Sequence, residues 1–385
     1  MLSSWLGDRY TDPELFDRER ERVFRGRWVC VGRADAVPEP GDFARVDVGG
    51  ESVLVVRDAD RGVRGLINVC RHRGARLCRD ERGHLGRSIR CAYHGWTYGL
   101  DGTLTAAPQM RDLPPPVTHD RGLHAVAATE WLGYVWLRFG AQPPSLAEQM
   151  GPQLLDRFGA VDALAGYGID ALRPVTEIVY DVRANWKLIV ENFSECYHCA
   201  TLHPELTAAL PSFRSGYGTV SGRRGADLAD GMEGFSLSGR AAAPSLPGLV
   251  GEAAHQFNAV NLWPNAVLVL LPDHVVWLRL EPLAVDRTRV VAEWLFHPTA
   301  TANATATADP AGRVADAVAL LDIANRQDFE AAERCQLGAR SAFYEAVYPP
   351  HEHVLLDFHR WVEQAVRAPA PHRQADALPV PTTPR

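Results

Sequence analysis

The sequence predicts an α+β chain of two domains. A small all-β domain is followed by a larger one in which a twisted antiparallel sheet carries a long C-terminal helix. Three observations predict this. At 385 residues the chain is long for one core. Short β-rich runs with hairpin punctuation crowd residues 40–150. After Pro143-Pro144, three alternating strands precede a helical repeat from Arg313 to Leu337. The expected boundaries are an N-terminal helical segment at 1–39 packing on the second domain, the all-β domain at 40–150, the second domain at 151–367 and an extended tail at 368–385.

Thr11-Asp-Pro-Glu14 has the form of a capping box, with proline early in the helix where its missing N–H costs nothing. Phe16, Val23 and Phe24 form its expected buried side. Asp42–Val48 and Ser52–Arg57 are strands joined by Gly49-Gly50, a hairpin signal. Val63–Val69 is a strand, Ile89–Tyr98 is strand-like around a loop, and Trp131–Phe139 closes the domain. Asp80–Gly86 is expected as a polar hairpin tip. In the second domain a strand ends at Tyr180–Arg183 and Ala184–Cys199 is expected to be one helix. Ser221–Glu252 lacks periodicity and reads as a loop or lid. Asn261–Leu270, His274–Leu283 and Thr288–His297 are the three strands, and Thr299–Gly312 is a low-complexity connector. Arg313–Leu337 and Val354–Val366 are the closing helices.

The composition, 46% hydrophobic and 23% charged with a net charge of −7, is that of an ordinary globular protein. It has no basic stripe for nucleic acid and no apolar run of membrane-spanning length. The N-terminus lacks the pattern of a signal peptide. Seven unevenly spaced cysteines do not form a disulfide framework and suit a reducing cytoplasm.

The chemistry lies in two clusters. Cys70-Arg-His72 and Cys91-Ala-Tyr-His94 supply two thiolates and two imidazoles. That is the ligand set of a Rieske [2Fe–2S] centre, in which two Cys hold one iron and two His the other. Neutral imidazoles leave the cluster less negative than four thiolates would, which raises its potential. Zinc is the competing reading, but zinc fingers pair Cys with Cys and His with His, whereas each half here is mixed. The flanks Arg73-Gly74 and Gly95-Trp96-x-Tyr98 resemble the Rieske domain of the non-haem iron oxygenases.

The second cluster is Glu195-Cys-Tyr-His198-Cys-Ala-Thr-Leu-His203-Pro. Two His and a distant carboxylate would form the facial triad of non-haem Fe(II), which leaves positions open for O2. On an ideal helix five residues turn about 140°, so His198 and His203 converge only if the helix breaks between them. Pro204 disfavours helix at His203. Helical phase points to the carboxylate: Leu321, Ala324, Asp328, Ala331 and Cys335 share one face of the long helix, with Asp328 the acid among them. A salt-bridged Asp328 is the plain alternative, and Asp322 is the next candidate ligand.

Asn185-Trp-Lys-Leu-Ile-Val-Glu-Asn192-Phe-x-Glu195-Cys-Tyr-His198 and Gln327-Asp328-Phe329 resemble the catalytic signature of the Rieske non-haem iron oxygenases, alpha subunit. Leu262-Trp-Pro-Asn265, Asp273-His274-Val275 and Glu293-Trp-Leu-Phe296 resemble the branch holding choline monooxygenase, glycine betaine demethylase and carnitine oxygenase. The resemblance implies a helix-grip, START-like catalytic fold. It implies Cys70, His72, Cys91 and His94 on the [2Fe–2S] cluster, and His198, His203 and Asp328 on the mononuclear iron. It further implies a homotrimer in which Glu195 bridges His94 of one subunit to His198 of the next; many members of the family carry Asp there, and Glu matches the amine-oxidising branch. Electrons would come from NAD(P)H through a separate flavin/iron–sulfur reductase. The implied reaction is O2-dependent N-demethylation or hydroxylation of a small quaternary amine such as a betaine. The alternatives are ring hydroxylation or N-oxygenation of an aromatic amine, and a non-enzymatic electron carrier. Phe193, Tyr197, Phe213, Tyr217, Trp263 and Trp277 are available for an aromatic cage around a cation.

Overall fold

The structure is a computed structural model that describes residues 7–110, 121–140, 144–216, 225–299, 309–349 and 352–370. Most of the expected connector at 299–312 and tail at 368–385, together with Tyr217, lie outside the described residues. The chain forms two compact units. The smaller is built on Arg20–Glu130 and Val135–Ser145, the larger on the N-terminal stretch through Glu19, Trp131–Tyr134 and Leu146–Val366.

Among the described residues, ten strands belong to the first part of the chain: β1 (Val29–Arg33), β2 (Asp42–Val48), β3 (Glu51–Arg57), β4 (Val63–Ile67), β5 (Arg82–His84), β6 (Ser88–Arg90), β7 (Thr97–Gly99), β8 (Leu104–Ala106), β9 (Ala125–Trp131) and β10 (Tyr134–Arg138). One sheet has the order β1-β10-β9-β4-β3-β2-β5 and the other β6-β7-β8. Gly49 and Gly50 both have positive φ, 54° and 83°, as the tight β2–β3 turn requires. The stretch expected as a polar tip contributes β5, which pairs with the edge of β2. Gly83 permits this, because a Cβ there would meet the Phe43 ring at 2.8 Å. Leu54, Val56, Leu66, Ile89, Trp96 and Tyr98 form a core that also takes in Cys70 and Cys91.

The larger unit begins with α1 (Asp8–Thr11) and α2 (Pro13–Glu19). Asp12, not Thr11, caps α2: its carboxylate accepts from the Glu14 N–H at 2.8 Å, while the Thr11 hydroxyl donates back to the Gly7 carbonyl. After α3 (Leu146–Phe158) comes an antiparallel sheet of β11 (Arg173–Val182), β12 (Ala226–Asp227), β13 (Gln256–Leu262), β14 (Ala266–Leu270), β15 (His274–Ala284) and β16 (Arg287–Phe296). Its order is β11-β16-β15-β14-β13-β12. The strand expected over Asn261–Leu270 is two strands, because Trp263-Pro264-Asn265 makes a turn between β13 and β14.

Further helical elements belong to this unit. They are α4 (Trp186–Asn192), α5 (Cys199–Leu202), α6 (Pro204–Ala209), α7 (Pro310–Gly338) and α8 (His353–Arg367). α7 packs on α4, α6 and β11. Among the described residues no helix is long and apolar enough to cross a membrane.

Asn185-Trp186-Lys187 ties this unit together. The Asn185 side chain accepts from the Lys187 N–H at the start of α4 and donates to the Val285 carbonyl, while its backbone N–H donates to Gln336 on α7. Gln336 in turn donates to the Tyr10 carbonyl. Lys187 is buried and donates to Glu19 Oε1 at 2.6 Å, and Trp186 Nε1 donates to Glu19 Oε2 at 2.9 Å. Every strong group in the cluster is partnered, so breaking one side leaves a bare buried charge. Lys187→Met is expected to cost about 3–5 kcal/mol by denaturant unfolding. The double variant Glu19→Gln/Lys187→Met, which keeps an acceptor for Trp186, is expected to lose less.

Candidate metal centres

Two loops of matching build carry the first cluster. In one, the Gly74 N–H donates to the Cys70 carbonyl at 3.0 Å and the Cys70 N–H to Ala75 at 2.8 Å. In the other, Gly95 donates to Cys91 at 3.0 Å and Cys91 to Trp96 at 2.8 Å. Gly74 and Gly95 close the loops with φ of 74° and 72°, a conformation that side chains resist. Both cysteines are buried, 2% exposed. The His72 and His94 rings meet edge to face with centroids 4.6 Å apart, and His72 stacks on Trp96 at 5.0 Å.

His72 Nδ1 is buried with no hydrogen-bond partner. Burial, then the neighbouring His94 and Arg73, hold the His72 pKa below its ordinary value, which favours the neutral ring a metal needs. An orphaned nitrogen beside two buried thiols fits an iron–sulfur cluster. The Tyr98 hydroxyl lies 3.3 Å from Cys70 Sγ and accepts from the Arg71 N–H. Burial pushes the Cys78 thiol up to about 11, with Asp80 adding to it, so Cys78 stays outside the thiolate set.

The second cluster exists because α4 stops early. The expected helix over Ala184–Cys199 ends at Asn192, where the Ser194 hydroxyl donates back to the Val190 carbonyl at 2.6 Å and accepts from Asn261 at 2.7 Å. A turn then leads to α5, with His198 at its N-cap. His203 follows at φ −121°, ψ 74°, outside the helical region, as Pro204 requires. The two rings end with centroids 5.1 Å apart.

Both imidazoles face Asp328 on α7. His203 Nε2 lies 2.8 Å and His198 Nε2 3.2 Å from the same Asp328 oxygen. The outer nitrogens are also taken, His198 Nδ1 by Glu195 and His203 Nδ1 by Gln327 Oε1 at 2.7 Å. A neutral imidazole has one N–H to give. Spending it on the outer acceptor leaves each Nε2 lone pair facing an anionic oxygen, an arrangement that needs a cation between them. Burial would lower the His198 pKa, but Asp328 and Glu195 outweigh it and push it up to about 9. Burial would raise Asp328, and the two imidazoles hold it below the usual carboxylate range. The donor set fits a divalent metal ion.

Cys199 Sγ lies within 4.8 Å of donor atoms of both imidazoles but is bonded to Cys196, so it has no thiolate to offer. Cys70 and Cys91, the cluster candidates, lie outside any disulfide, as do Cys30, Cys78 and Cys335. Asp322 is turned away, accepting from Tyr180 at 2.7 Å and from Arg326 at 3.0 Å. Of the expected stripe on α7, Leu321, Ala324 and Asp328 are buried, Ala331 is half-buried and Cys335 is exposed; Asn325, Phe329, Ala332 and Gln336 are buried beside them. The cage candidates fall in separate contacts. Phe193 meets Phe329, Phe213 meets Phe257, Trp263 meets Phe358, Trp277 stacks on Tyr134, and Tyr197 is exposed.

The family model for the ring hydroxylating alpha subunit (catalytic domain) matches residues 169–368, and that for the Rieske [2Fe-2S] domain matches residues 27–117. The chain belongs to the Rieske non-haem iron oxygenases. Its cofactors are a Rieske [2Fe–2S] cluster and a mononuclear iron. The electron-carrier reading fails on the catalytic-domain match. The chain is 30% identical to the glycine betaine monooxygenase oxygenase subunit of Chromohalobacter salexigens, over 91% of this chain and 83% of that protein. It is 33% identical to the carnitine monooxygenase oxygenase subunit of Escherichia coli K12, over 51% of this chain and 50% of that protein. Its fold is similar to a crystal structure of the quaternary ammonium Rieske monooxygenase CntA, with a TM-score of 0.70, 22% identity and 94% of each chain covered. Alpha subunits of this family work with a separate reductase and small substrates.

Asp328→Ala is expected to lose the mononuclear metal while keeping the visible spectrum of the Rieske cluster. Asp322→Ala is expected to keep both. Metal analysis with absorption spectroscopy checks each outcome.

Proposed function

We propose that this Rieske oxygenase oxidises a small quaternary ammonium compound by N-demethylation or by hydroxylation beside the charged nitrogen. The observation that carries the proposal is the 30% identity to a glycine betaine monooxygenase across 91% of the chain. The Glu at 195 supports it, as the residue that resembles the amine-oxidising branch.

When bound, the cluster supplies electrons singly and the iron supplies an O2-binding centre with open positions. In this reading Cys70, Cys91, His72 and His94 hold the cluster, and His198, His203 and Asp328 hold the iron. Electrons reach it from NAD(P)H through a flavin/iron–sulfur reductase in the cytoplasm, a compartment that suits thiolate ligands. The chain works as a homotrimer. Glu195 accepts the Nδ1 proton of His198 and so turns Nε2 toward the metal. A carboxylate has about four lone-pair sites. With His198 and the Tyr197 N–H as its partners, Glu195 keeps capacity for one more donor, His94 of a neighbouring subunit.

The substrate reading is tested by O2 uptake with a surrogate reductase and NADH against glycine betaine, carnitine, choline and an arylamine. Uptake coupled to product with a quaternary amine is the expected result. Ring-hydroxylated or N-oxygenated arylamine as the sole product would replace this reading with aromatic-amine oxidation.

For the bridge, Glu195→Ala is compared at full iron loading, because losing the partner of His198 weakens the mononuclear site. It is expected to keep its Rieske cluster and its trimer, since one polar contact is a small part of an interface. Reoxidation of the pre-reduced cluster with substrate and O2, followed by stopped flow, is expected to slow by about 10–100-fold. A rate equal to that of the unaltered protein would leave Glu195 as an orienting partner within one subunit.

A further inference from the structure

We infer that Gln327 is a positioning residue for the mononuclear metal, setting the tautomer of His203 through an amide that Glu205 orients. The inference rests on the reading of His203 as a metal ligand. Gln327 immediately precedes Asp328 on α7, so one turn of helix delivers both the carboxylate and the group that holds its imidazole neighbour.

The Gln327 amide stands between His203 and Glu205. Gln327 Oε1 lies 2.7 Å from His203 Nδ1, and Gln327 Nε2 donates to Glu205 Oε2 at 3.4 Å. An amide has two faces, an acceptor oxygen and a donor nitrogen, and either orientation fills the same space. An ionised Glu205 accepts only, so it selects the orientation with the NH2 toward itself. The amide oxygen is then fixed on His203, and Nδ1 must carry the ring proton. The Nε2 lone pair is left pointing at the place where Asp328 and His198 converge. His203 is 1% exposed, so water cannot substitute for the amide.

The two imidazoles are thereby held differently. A carboxylate, Glu195, holds His198, and a neutral amide holds His203. A carboxylate partner pulls harder on the N–H and makes its imidazole the more basic ligand. Glu205 sits on α6, directly after Pro204, so the same break that frees His203 from helix also places the outer end of the relay.

The test uses protein that retains its Rieske cluster but has had the mononuclear iron removed, titrated with Co(II) and followed by its visible ligand-field bands. Gln327→Leu is expected to weaken Co(II) binding by about 10–100-fold and to alter the bands, with the cluster spectrum unchanged. Glu205→Gln, which leaves His203 and Gln327 in place but lets the amide turn over, is expected to weaken it by a smaller factor. It carries the test if Gln327→Leu does not fold. Asp328→Ala runs in parallel. Lost binding in Asp328→Ala with unaltered affinity and bands in Gln327→Leu, or in Glu205→Gln where that variant stands in, would overturn the role of Gln327 and leave the ligand set intact. Unaltered binding in Asp328→Ala would instead overturn the ligand set itself.

Discussion

One carboxylate, buried on a long helix and faced by two imidazoles, sets the requirements for the catalytic unit. Asp328 is 7% exposed, and an isolated charge in that position would be expensive. Its neighbours do not neutralise it in the ordinary way. His198 and His203 each have an outer acceptor competing for their single N–H, so the inner face of the site holds more lone pairs than protons. A metal ion resolves this imbalance. Against burial, the carboxylates of Asp328 and Glu195 push the His198 pKa up to about 9.

The rest of the unit serves that convergence. α4 has to stop at Asn192, because a continuous helix would leave the two imidazoles far apart in angle. Ser194 ends the helix by bonding back into it, and Pro204 keeps His203 out of the next one. α7 has to lie at a fixed phase against α4. The Asn185–Gln336 hydrogen bond pins that phase, and the buried Lys187–Glu19 pair anchors the start of α4 to the N-terminal segment. Asn185, Trp186 and Lys187 are not among the candidate ligands; they hold the frame in which His198, His203 and Asp328 meet. In the smaller unit a different device achieves similar rigidity. Two loops repeat the same hydrogen bonds between a cysteine, a left-handed glycine and the residue after it.

Much of this was legible in the sequence where the signal was local. Cys-x-His and Cys-x-x-His carry their ligand geometry in their spacing. Asp328 stands out from the helical period, and Pro204 announces the conformation of His203. The stripe holds at Leu321, Ala324 and Asp328 and fails at Cys335, because helical phase drifts over a long helix, and the buried face also takes in Asn325. The end of α4 was missed because Ser194 is a poor breaker by propensity and acts through Asn261, far along the chain. The β5 edge strand depends on Gly83 fitting under Phe43, a contact no local pattern encodes. The Cys196–Cys199 bond is not legible in the sequence, since spacing alone does not separate a free pair from a bonded one. Gln327 carries no local signal, since its contact with Glu205 joins α7 to a residue far away in sequence.

The central claim is that one chain holds two chemically distinct iron centres. The most direct measurement is iron and acid-labile sulfide per chain on protein purified without air, joined to Mössbauer spectroscopy. The account predicts about three irons to two sulfides, with one iron in a class of its own that disappears in His203→Ala. Two irons to two sulfides in fully reconstituted protein, or zinc in place of iron at the Cys70/His72/Cys91/His94 set, would contradict it.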